Sequence, residues 1–138
     1  MRTIYLFLLA MIFIVGCTNQ EQTMDLLDEN IREINVSKSN GVGDMNQDIL
    51  VSISDKESIK IFENIIRTAV KQKSNIDAVK PDFELMVEYE GDLPTHAIHL
   101  MLGEKGEESI LMYIDSEGET YVTSSNSTGQ LRELILSE

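Results

Sequence analysis

Apolar and polar positions along the chain change period several times, and each change marks an element. Residues 4–15 form a nearly unbroken apolar run. As a helix rising 1.5 Å per residue it spans about 18 Å, too short for a hydrocarbon core of about 30 Å but the right size for the apolar centre of a signal peptide. Residues 18–30 are polar and acidic with isolated Met24, Leu26 and Leu27, the pattern of a short tether with room for one helical turn. Residues 31–37 read as a strand and 49–53 as a stronger one, joined by a Gly- and Asn-bearing segment into a first hairpin. From Ser54 the period becomes helical. Ile59, Phe62, Ile65, Ile66, Ala69 and Val70 share one stripe, the charged side chains take the other, and Ser54 with Glu57 has capping-box spacing. Such a stripe packs on the domain's own sheet far more often than on a partner.

The Lys80-Pro81 step disfavours helix, and the period returns to two. Phe83, Leu85, Val87 and Tyr89 alternate with Glu84, Met86, Glu88 and Glu90. Turn signals at 91–94, 103–107 and 115–118 then separate strands at 95–102, 109–114 and 120–124, an antiparallel meander. Residues 127–136 carry Leu131, Leu134 and Ile135 at helical spacing and close the chain. The pattern predicts an α+β domain of order β-β-α-β-β-β-β-α, a largely antiparallel sheet with the amphipathic helix packed on one face.

Length and composition narrow the function classes. The 138 residues allow one ordinary domain, placed at 31–138, and a hydrophobic fraction of 42% argues against wholesale disorder. Twenty-four Asp and Glu face 11 Lys and Arg, a net charge of −13, which excludes nucleic acid as a partner because phosphates would be repelled. The single Cys excludes an intramolecular disulfide framework and a thiolate metal cluster.

That Cys stands at the end of the apolar run. Ile14, Val15, Gly16 and Cys17 resemble the bacterial lipobox, with a branched residue three before the cut, a small residue beside it, and a thiol to be alkylated by a diacylglyceryl group. Polar sequence follows at once, unlike the continuation of a core helix. The expectation is a signal peptide over 1–16, a lipidated Cys17 with a polar tether to residue 30, and location at the cell membrane on its extracytoplasmic face. Two acyl chains hold a protein stably where one does not. Loss of Arg2 leaves the mature chain more acidic still, so lipid and not charge would hold it, with the folded part standing off anionic headgroups.

The helix end Ile66-Arg67-Thr68-Ala69-Val70-Lys71, the link Ile76-Asp77-Ala78-Val79 and the strand start Pro81-Asp82-Phe83 resemble the YhfM-like lipoproteins of Gram-positive bacteria. The likeness extends over residues 48–136 together with the lipobox. It implies address and fold and carries no catalytic residue or cofactor.

Candidate chemistry is sparse. His96 and His99 lie three apart on a strand, on opposite faces, and so do not chelate one ion; one is expected in solvent and the other in the packing of the sheet. Asp82, Glu84, Glu88, Glu90 and Asp92 fall on even positions and would make one acidic, solvated face, with cation binding or paired acid–base chemistry as the alternatives. Asp44, Asn46 and Asp48, with Asp55 at the twelfth position, imitate the start of a calcium loop, but Ile49 stands where the loop needs Gly. No Gly-x-Ser-x-Gly elbow or phosphate loop supports catalysis. These features favour a non-enzymatic envelope module that binds another envelope component, an envelope protein among the candidates, through its sheet or loops, with an acidic calcium- or cation-binding protein as the alternative.

Overall fold

The computed structural model describes residues 20–41, 45–72, 80–116 and 118–137. Alternating apolar positions build strands β1 (Ile31–Lys38), β2 (Ile49–Ile53), β4 (Phe83–Tyr89), β5 (His96–Met101) and β6 (Ile110–Tyr113), with two-residue strands β3 (Val70–Lys71) and β7 (Tyr121–Val122). All seven join one antiparallel sheet in the order β2-β1-β4-β5-β6-β7-β3. The expected hairpin, meander and α+β class are present, and β3 is an added strand.

Helix α1 (Lys56–Thr68) buries Ile59, Phe62, Ile65 and Ile66. Its cap is Asp55, not Ser54: the Asp55 carboxylate accepts from the Ser58 N–H at 2.9 Å, and that hydrogen bond holds its pKa below the usual aspartate value. The helix ends two residues before the apolar stripe does, because Ala69 turns extended while its N–H still reaches the Ile66 carbonyl. Val70 is thereby freed from the helix to pair with Val122 as β3. Helix α2 (Ser125–Leu136) starts two residues earlier than expected, since Ser124 accepts from the Ser127 N–H. Both helices contribute to a single core with one face of the sheet, in which Ile34, Val36, Phe62, Leu85, Val87, Ile98, Leu100, Leu111 and Leu131 are inaccessible or nearly so.

Part of the expected tether belongs to this core. Met24 and Leu26 are buried, Thr23 bridges Val70, and the Met24 N–H reaches the Ala69 carbonyl at 3.1 Å. The Tyr89 hydroxyl accepts from the Leu27 N–H, and the Arg67 guanidinium donates to the Leu26 and Leu27 carbonyls. Polarity concealed this because three apolar side chains among acidic neighbours have no recognisable period. Ile14, Val15, Gly16 and Cys17 lie outside the described residues, as does Asp44. Among the described residues, no helix is long and apolar enough to cross a membrane.

Candidate functional site

Because side chains alternate along a strand, the residues between the core positions are presented on the second face of the sheet. The register places Met86 opposite Ala97, His99 opposite Met112, and Met101 opposite Ile110. None of these apolar side chains is part of the helix-side core. Met86, Ala97, Ile110 and Met112 remain partly exposed. Over the middle of β1 and β2, and at Glu88 of β4, the same face is polar. Ser52 donates to Glu33 and Asn35, Asn35 donates to Glu88, and the Arg32 guanidinium closes the chain on Glu88.

Between the two halves stand Glu84 and His99, directly opposite across β4 and β5 and both inaccessible to solvent. The Glu84 carboxylate accepts from the Asn46 backbone N–H at 2.7 Å and the Ser39 hydroxyl at 3.1 Å, so a buried charge is held by the chain that links β1 to β2. Neither ring nitrogen of His99 has a hydrogen-bond partner among the described residues. Burial pushes its pKa below the ordinary histidine value, against the opposing pull of Glu84.

These positions correct two expectations. The even-numbered carboxylates do not form one solvated face: Glu84 is buried, Glu88 is paired, and Glu90 and Asp92 follow the end of β4. Asp82 precedes the strand and accepts from the Leu102 N–H. The histidines do lie on opposite faces, but neither is free in solvent. His96 is half-buried, its Nδ1 is 2.7 Å from the Tyr89 hydroxyl, and its ring packs between Tyr89 and Tyr113. A buried His or Glu on the outer face of a sheet has no signature in periodicity; only the register reveals it.

Of the calcium candidates, Asn46 is committed elsewhere. Its Oδ1 accepts from the Asp48 N–H and its Nδ2 donates to the Lys38 carbonyl, while Asp55 caps α1. No group of three or more His, Cys, Asp or Glu among the described residues is arranged to hold a metal ion. A concavity of about 540 Å³ is lined by Gln20, Glu21, Gln22, Thr23, Asp25, Lys71 and Tyr121; it is open and polar, and the Lys71 ammonium is bound to Glu119 at 2.7 Å.

A family model described as YhfM protein matches residues 27–138. No curated protein matches the sequence. Among solved structures, the chain is similar to the crystal structure of a thioesterase-like protein from Clostridium sporogenes ATCC 15579, with 18% identity over 78% of this chain and 96% of that one and a TM-score of 0.53. At that identity the likeness establishes a shared fold and nothing about chemistry.

Proposed function

The chain belongs to the YhfM family, and from that premise we propose that it is an extracytoplasmic lipoprotein, anchored by diacylglycerol on Cys17, whose domain is a non-enzymatic module binding an envelope component through the open face of its sheet. The observation that carries the binding reading is the two-sidedness of the sheet: one face is filled by the helices, while the other bears apolar side chains that belong to no core and remain partly exposed. The lipobox residues Ile14 to Cys17 support the anchor.

The tether is short. Only six residues separate Cys17 from the buried Met24, a reach of at most about 25 Å, so the domain is held close to the headgroups and does not stand far off them. Cys17→Ala tests the anchor by cell fractionation with mass spectrometry of the native N-terminus. The parent carries two acyl chains and sediments with membranes, and the variant does not. An unmodified thiol, or equal retention of the variant, defeats the anchor.

A hydrolytic reading draws on the shared fold and on His99 facing Glu84. It is disfavoured because both side chains are buried and the Glu84 oxygens already accept two hydrogen bonds. Turnover of an acyl-thioester probe that is lost in His99→Met would replace the binding reading with a catalytic one.

A further inference from the structure

Resting on the reading of the open face as the binding surface, we infer that its ligand is a cationic, amphipathic polypeptide segment laid across β1, β4, β5 and β6. The face has two chemistries side by side. Met86, Ala97, Ile110 and Met112, all partly exposed, supply an apolar half outside the helix-side core with Met101 buried beside them, and thioether side chains adapt to differently shaped partners at little cost. Glu33 and Glu88 outnumber Arg32, which pairs with Glu88, and so leave this half net anionic, on a chain whose net charge of −13 draws cations and repels phosphate-bearing polymers and acidic lipid surfaces alike. A ligand that matches both halves carries positive charge along one side and apolar side chains along the other.

The seam between the halves supplies an independent observation. His99 is fully buried with both ring nitrogens unpartnered among the described residues, although buried polar groups are nearly always hydrogen-bonded. Glu84, directly opposite, is engaged by Ser39 and Asn46. A neutral imidazole offers one donor and one acceptor, and a polypeptide backbone brings both complements to the same place. Met112, the cross-strand neighbour of His99, is partly exposed and is the side chain a ligand would move to reach the ring.

The test uses the full lipidated chain in phosphatidylcholine nanodiscs with ¹³C-methyl methionine, and three synthetic probes: peptides of alternating Lys and Leu, alternating Glu and Leu, and alternating Lys and Ser. The Lys/Leu peptide is expected to shift the methyl signals of the partly exposed Met86 and Met112 and leave Met24, which is buried on the helix side, where it was. Met112→Lys and, independently, Met86→Lys are each expected to weaken that binding at least tenfold, with circular dichroism reporting the fold of each. Equal shifts with the Glu/Leu or Lys/Ser peptide overturn the ligand class while leaving the face as a binding surface. Movement of Met24 along with the rest, unchanged affinity in a folded Lys variant, or no shift with any peptide overturns the proposal, and the last removes the binding surface as well. The N-terminal mass reports on the anchor separately.

Discussion

The Tyr113 hydroxyl holds the backbone of Asp25 by both of its polar groups, accepting from its N–H at 2.7 Å and donating to its carbonyl at 2.6 Å. One side chain of β6 thus fastens the segment that leads from the N-terminus into the core. Burial pushes the Tyr113 phenol up from its ordinary value, so it stays protonated and able to donate. Tyr113→Phe removes both hydrogen bonds while keeping the ring contact with Tyr121. At a net value of about 0.5–1.5 kcal/mol for each bond, the variant should lose about 1–3 kcal/mol in denaturant unfolding. Faster amide exchange at Asp25 is expected with it, and unchanged exchange there would show that the other contacts of the strap hold it without Tyr113.

Acid should destabilise the domain through His99. Its folded pKa lies below the ordinary histidine value of 6.5 because burial penalises the imidazolium more than Glu84 favours it. Between the two values the unfolded chain binds more protons than the folded one, so stability falls as pH drops through 6.5 and stops falling from this source below the folded pKa. Among the described residues, the charged group directly opposite it is Glu84 on β4, while its neighbour on β6 is Met112. His99→Met fills a similar volume without a titrating group. Urea titrations from pH 7.5 to 5 should show a shallower loss in the variant, and parallel curves would refute the assignment.

Helix α1 gives a cleaner contest between two neighbouring residues. The Ser54-x-x-Glu57 spacing nominates Ser54 as the cap, whereas Asp55 is the residue that accepts from Ser58. Asp55→Ala should cost about 1 kcal/mol and Ser54→Ala only a few tenths, read from thermal unfolding. The reverse order would restore the cap expected from spacing.

Why some features were legible and others not follows from the range of the forces involved. The stripe Ile59, Phe62, Ile65 and Ile66 and the alternation from Phe83 to Tyr89 are local periods, and local periods survive in sequence. The end of α1 was misplaced because Ala69 is buried and continues the stripe although its backbone has left the helix. Val70 pairs with Val122, more than fifty residues away, and two residues of strand carry no pattern of their own. Met24 and the Glu84–His99 seam are likewise set by partners distant in sequence, so their burial became visible only with the register.

The core itself is expected to respond as a single packed unit. Phe62 is fully buried beneath the sheet, and Phe62→Ala removes an aromatic ring from close-packed surroundings. A loss of about 3–5 kcal/mol is expected from chemical denaturation, enough to threaten folding of a domain this size. A loss below 1 kcal/mol would mean that the helix does not pack as described.

Calcium should leave the melting temperature unchanged. A ligand at a hundred times its Kd stabilises by about 2.7 kcal/mol, a shift of several degrees. Asn46 already spends its side-chain oxygen on Asp48, the Glu84 oxygens are engaged by Asn46 and Ser39, and Asp55 caps a helix. Of the loop ligands suggested by spacing, two are therefore satisfied within the protein, and opening them for an ion would sacrifice the hydrogen bonds that fix the loop and cap the helix. A rise in melting temperature with millimolar calcium, absent with magnesium, would reinstate the cation-binding alternative.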